Sequence, residues 1–190
     1  QVGLATIGFM SWIGLVYAFK WAWAPIVDRC PLPLLTRLLG RRRAWLALSQ
    51  AGIMGGLAGM ALTDPAQNLE ALIFWALFTA AASATQDIAL DAYRIESAAS
   101  EEQGMLAAAY QFGYRIAMIW AGAGALGIAA AASGAAGAGY DAAAWRVAYL
   151  AMTASVFVGF AAMLCSPEPA GEPRAQACAR EPSGVLGRAK

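Results

Sequence analysis

Five long apolar stretches, at 3–24, 45–63, 71–93, 105–132 and 145–165, alternate along the chain with short polar or turn-forming segments. A bilayer core about 30 Å thick takes roughly 20 apolar residues in a helix, so each stretch is long enough to cross. The stretches are rich in Ala, Leu, Gly and aromatic residues, and none shows the two-residue alternation of a barrel strand. The pattern predicts an all-α, polytopic membrane helix bundle over residues 1–165. Beyond it, residues 166–190 turn to Pro, Glu, Arg, Ala and Gly, which reads as a linker or a disordered tail.

Composition agrees with the pattern. Of 190 residues, 60% are hydrophobic and 13% charged, against about 25% charged in an ordinary soluble domain. A soluble enzyme is therefore excluded as a first reading. Histidine is absent, which removes the usual neutral-pH acid–base group and the commonest metal ligand. Cys30, Cys165 and Cys178 are too widely spaced for a disulfide framework or a zinc site. With no metal-ligand cluster and no nucleophile–base pair, neither a membrane enzyme nor a bound cofactor is expected. The net charge of +1 gives no reason to expect a nucleic-acid partner.

Charge sets the orientation. Arg29, Arg37, Arg41, Arg42, Arg43 and Arg94, with Arg174, Arg180, Arg188 and Lys190 of the tail, fall on one side of the predicted spans. The other side holds Asp64, Glu70 and Asp141, with Arg146 at its edge. The positive-inside rule then makes residues 25–44, 94–104 and 166–190 cytoplasmic, and the first helix runs inward. Five spans that begin outside, without an initiating Met, lead us to expect a missing first helix. Six helices before a charged cytoplasmic linker would be the N-terminal half of a twelve-helix transporter, whose C-terminal half would be the partner.

Ionisable residues inside the spans carry the candidate chemistry. Each costs about 2.5–3.5 kcal/mol at the centre of a membrane helix, so Lys20, Asp87, Asp91 and Arg115 should face one another or a water-filled cavity. Asp87, Asp91 and Arg94 stand at i, i+4 and i+7, on one helix face, and Gln111 and Arg115 are i, i+4 on the next helix, beside Tyr110 and Tyr114. Counting outward from the turn near Glu101 places Asp87 level with Arg115 and Asp91 level with Gln111. Arg115 lies ~15 Å into its span, close to the midplane. A midplane cation beside a carboxylate suits an anionic or polyhydroxylated solute, and a carboxylate at that depth is a candidate proton carrier.

Plainer readings stand beside these. Asp87–Arg115 could be a structural ion pair, although such pairs add little stability on their own. Asp91 and Arg94 could pair within their helix at the rim, and Lys20, near a span end, could snorkel to the interface. Gly52 with Gly56 and Gly55 with Gly59 form two small-xxx-small pairs, and Gly122, Gly124 and Gly127 crowd a later span; close packing accounts for them. Trp21, Trp23, Trp45 and Trp145 lie where interfacial anchors are expected.

The loop after the first span reads Asp28-Arg29, ten residues, then Gly40-Arg41-Arg42-Arg43. It resembles the cytoplasmic loop signature of the major facilitator superfamily, with a longer spacer and with Ala24 where a glycine is usual. The resemblance implies a latch between the two halves of a transporter, made by the acid and the arginines. Finer motifs are Gly14-Leu15-Val16-Tyr17-Ala18-Phe19-Lys20, Trp23-Ala24-Pro25, Pro31-Leu32-Pro33, Ala84-Thr85-Gln86-Asp87-Ile88-Ala89-Leu90-Asp91-Ala92-Tyr93-Arg94 and Tyr110-Gln111 through Gly113-Tyr114-Arg115. Over nearly all of residues 1–169 these are similar to the AmpG-type muropeptide permeases, and the 86–91 motif is also similar in acetyl-CoA transporters.

The resemblance implies import of anhydro-muropeptides, sugar–peptides from cell-wall turnover, across the bacterial inner membrane, driven by protons. Gln86, Asp87, Asp91, Arg94, Tyr110, Gln111, Arg115 and Lys20 would line the path of solute and proton. The alternatives are a related transporter of another solute, such as an acyl-CoA or a sugar, and a truncated fragment that transports nothing.

Overall fold

A computed structural model describes residues 14–134 and 140–169. Residues 14–18 are helical and lead into a 3-10 turn, Lys20–Ala22. Two short helices follow: α1 (Ala24–Arg29), with Pro25 in its first turn, and α2 (Leu35–Leu39). Four long helical segments then make the body of the structure. These are α3 (Arg41–Leu62), α4 (Leu69–Ser97), α5 (Gln103–Ile119) continued by a π-helical turn (Trp120–Gly124) and α6 (Ala125–Ser133), and α7 (Ala142–Cys165). All four, over Arg41–Leu62, Leu69–Ser97, Gln103–Ser133 and Ala142–Cys165, are long and apolar enough to cross a membrane. No strand occurs among the described residues. The protein is a polytopic helical membrane bundle.

The second to fifth predicted spans match these helices, apart from Thr63, which lies just past the end of α3, and the ends differ. Residues 25–44 are not a plain loop: they hold α1, α2 and the first turn of α3, so Arg41–Arg43 are helical. The segment 94–104 is shorter than expected, because α4 runs on to Ser97. Its 29 residues extend about 44 Å, more than a hydrocarbon core needs, so its last turn projects past the apolar region. Of the first predicted span, residues 1–13 lie outside the described residues, and regular helix stops at Ala18 rather than continuing to Ala24.

Local chemistry explains several ends. The Asn68 side chain accepts from the Ala71 amide at 3.0 Å and starts α4. Asp141 accepts from the Ala143 and Ala144 amides at 2.9 and 3.3 Å and starts α7. Such caps satisfy amides that have no partner inside the helix. Gly134, at φ +60, follows α6 in a backbone region that only glycine enters readily.

α3 is the central helix, packed against α4 and α7, and α6 packs on α7. Its contact with α4 runs through Gly52, Gly56 and Gly59, where an added Cβ would meet Ala82, Thr79 and Trp75 in turn. Gly55 faces open space. The glycine seam is therefore one face, at i, i+4 and i+7, rather than two overlapping pairs. Val27, Leu46, Ala47, Ala89 and Met163 form a buried cluster tying α1 to α3, α4 and α7. Much of the core is alanine, as expected where close backbone approach, not hydrophobic transfer, drives helix association. α5 barely touches α4 and leaves most of its side chains exposed, so that face is open to lipid or to further helices.

Candidate functional site

A polar seam joins the first described turns to α4. The Tyr17 hydroxyl donates to Ser83 Oγ at 2.5 Å, and Trp23 Nε1 donates to Thr85 Oγ1 at 3.2 Å. Lys20 Nζ lies 3.5 Å from Asp87 Oδ2. One to two turns further along α4, Asp91 pairs with Arg94 at 3.5 Å. The Arg94 guanidinium in turn lies 5.2 Å from the centroid of the Tyr110 ring on α5, a cation–π distance. Gln86 Oε1 and Arg94 Nε are buried and have no hydrogen-bond partner among the described residues. Unsatisfied polar atoms of this kind carry a desolvation cost that a polar ligand can remove.

The structure brings together Lys20, Asp87, Asp91, Arg94 and Tyr110, with Gln86 beside them in sequence. It does not bring Arg115 to Asp87. The cation facing Asp87 is Lys20, which therefore reaches a carboxylate instead of only snorkelling. Gln111 and Arg115 are exposed on α5, and Arg115 forms no ion pair with a described residue. Counting from the turn gave depth along the two helices. It did not give rotation or spacing, and α5 stands off from α4.

A second cluster occupies the arginine-rich end. Arg42 is 6% exposed. Its Nη1 meets Asp28 Oδ1 at 2.8 Å, while Nη2 and Nε grip the two oxygens of Glu96 at 2.6 and 3.0 Å. Arg41 lies 3.7 Å from Glu96 and also donates to the Asp28 carbonyl. Glu168, just past α7, accepts from the Arg42 and Arg43 amides at 2.8 and 3.2 Å and so caps α3. Arg43 donates to the Leu164 carbonyl at 2.9 Å, and Tyr93 to the Pro167 carbonyl at 2.7 Å. Gly40 has φ +88, and a Cβ there would run into the Glu168 side chain. Residues 166–169, expected to be linker, are thus docked on α3 and α4; residues 170–190 lie outside the described residues. Arg29 ends α1 and makes no ion pair with a described residue.

Sequence reasoning did not single out Glu96, Glu168, Ser83, Thr85 or Gln50. Glu96 was hidden by ending the span at residue 93. Ser83 and Thr85 are hydroxyls that an apolar helix can carry by bonding its own carbonyls, as Thr85 also does to Ala81. Gln50 is 5% exposed, its Oε1 lacks a partner among the described residues, and it faces Gly159 of α7. A polar amide within the apolar stretch 45–63 was the available signal.

No family model matches the chain. Among curated proteins it is 34% identical over 169 residues to the anhydromuropeptide permease of Escherichia coli (strain K12), covering 89% of this chain and 32% of that protein. It is 35% identical to AmpG 1 of Rickettsia conorii, over 66% of this chain and 30% of the relative. The figure is 37% for AmpG 4 of Rickettsia felis, over 67% and 31%. The chain spans about a third of the length of these relatives. It is, over that third, a homologue of the AmpG-type permeases and a multi-pass membrane protein of a transporter family.

Proposed function

We propose that the bundle serves as one half of an importer of anhydro-muropeptides, working in the bacterial inner membrane with a second helical half as its partner. In this reading residues 1–165 form the transmembrane unit and 166–190 the cytoplasmic linker to that partner. The half-exposed Lys20–Asp87 pair, between the Lys20–Ala22 turn and the apolar helix α4, carries the proposal, supported by the permease name of the Escherichia coli relative. Ionisable groups held at such depth are retained for a pathway more often than for stability.

The mechanism follows from what each group can exchange. A solute carboxylate competes with Asp87 for the Lys20 ammonium, and protonation of Asp87 releases Lys20 to that carboxylate. Gln86 and Arg94 supply the acceptor and donor that lack partners, for sugar hydroxyls and amides. Arg115 and Gln111 offer further donors along α5, and Asp91 is the second candidate proton carrier. Alternating access rocks the two halves about this level, while Asp28 and Arg41–Arg43 latch the cytoplasmic face. Uptake of labelled anhydro-muropeptide by cells expressing the protein tests the solute and the driving force. Uptake should fall with a protonophore and be competed by unlabelled muropeptide, and not by acetyl-CoA or a simple sugar. Competition by either of those would assign the pathway to another solute.

A further inference from the structure

At the end opposite the arginine cluster, α3, α4 and α7 enclose a half-open pocket of about 270 Å³. Met60, Leu72 and Trp145 give it an apolar wall, and Tyr140, Tyr149 and Arg146 a polar rim. The Trp145 and Tyr149 rings lie 6.2 Å apart. Arg146 Nε donates to the Ala61 carbonyl at 3.3 Å, in the last turn of α3, where carbonyls lack helical partners. That bond uses one of the five guanidinium N–H donors.

Arg146 makes no ion pair with a described residue. Of the acids at this end, Asp64 accepts from the Ala66 amide and Asp141 from those of Ala143 and Ala144, and Glu70 is exposed in the first turn of α4 and is not paired with Arg146. Residues 1–13 and 135–139 contain no Asp or Glu that could neutralise it. A cation here also runs against the charge bias of the chain, whose other loop arginines fall on the far side of the spans.

We propose that this pocket binds the phosphate of a phospholipid headgroup. The spare Arg146 N–H groups take the phosphate oxygens as charge-assisted hydrogen bonds. Met60, Leu72 and Trp145 cover the glycerol and the first methylenes, and the tyrosines lie at headgroup level, where aromatic rings of membrane proteins concentrate. The volume suits a headgroup, and is too small for a disaccharide bearing a peptide.

Native mass spectrometry of the detergent-purified protein, titrated with phosphatidylglycerol, tests the assignment. Two variants are compared with wild type. Arg146→Gln keeps a donor for the Ala61 carbonyl. Ala142→Glu puts an acid on the pocket wall at the first residue of α7, where a helix N-terminus favours negative charge, so this variant should fold. Each should weaken the tightest lipid by about tenfold, the worth of one charged hydrogen bond. Diacylglycerol of the same chains should not be retained, and millimolar inorganic phosphate should not displace the lipid. Equal retention by wild type and both variants, or equal retention of diacylglycerol, would overturn the proposal. Displacement by inorganic phosphate would assign the pocket to the free anion and overturn it too.

Discussion

Lys20 and Asp87 are 67 positions apart in sequence, and the lysine nitrogen lies 3.5 Å from a carboxylate oxygen of the aspartate. Their side chains keep 37% and 32% of their surface accessible. A pair this open is worth about 1 kcal/mol or less, too little to explain two charges between apolar segments by stability alone. Replacing both with apolar residues, Lys20→Met with Asp87→Leu, should therefore change the thermal midpoint in detergent by only a few degrees. It should abolish uptake. An unstable double variant would mark the pair as structural.

Arg42 is the opposite case. It is buried and holds both oxygens of Glu96 as well as Asp28. Removing Arg42 takes away its charge-assisted hydrogen bonds to two partly accessible carboxylates, one of which keeps Arg41 nearby, at about 1.5–3 kcal/mol. Arg42→Ala should sharply reduce folded yield and thermal stability. Arg42→Lys should recover little, because an ammonium cannot make the two-pronged contact.

Gly40 and Glu168 form a coupled pair through the chain's long way round. Gly40→Ala carries about 1–3 kcal/mol for a positive-φ, extended-ψ backbone that is essentially glycine's alone, with the Glu168 collision added. Glu168→Ala in the same chain should remove the collision and leave the φ cost. A thermal-unfolding double-mutant cycle should thus be non-additive. Additivity would mean that Glu168 does not sit over Gly40.

The glycines of α3 separate by face. Gly56→Ala and Gly59→Ala press a methyl into Thr79 and Trp75 and should cost about 1–3 kcal/mol by overpacking. Gly55→Ala meets nothing within 4 Å and should be neutral or stabilising, by up to about 1 kcal/mol of helix propensity. Stability of the three purified variants, side by side, checks this.

The second to fifth spans were legible because hydrophobic length is a property of the chain alone. Asp91–Arg94 was legible too, since a pair within one helix needs only its spacing. Helix ends were less so: α3 begins at Arg41 because Glu168 caps it and Glu96 neutralises its first turn, contacts that come from 126 and 54 positions away. Lys20–Asp87 escaped for the same reason. Depth follows from counting residues, whereas the facing partner depends on helix rotation and on which helices approach, and α5 diverges from α4 where a close hairpin was assumed.

Transport through the Lys20–Asp87 level is tested most directly by initial uptake of labelled anhydro-muropeptide in cells expressing wild type, Asp87→Asn or Arg115→Gln at matched membrane levels. Asp87→Asn removes the proposed proton carrier and the partner of Lys20, and should lower the rate by at least about tenfold, the effect of a lost charged contact. Arg115→Gln should raise the solute concentration needed for half-maximal uptake. Wild-type rates and concentration dependence in both variants would contradict a solute pathway through these residues.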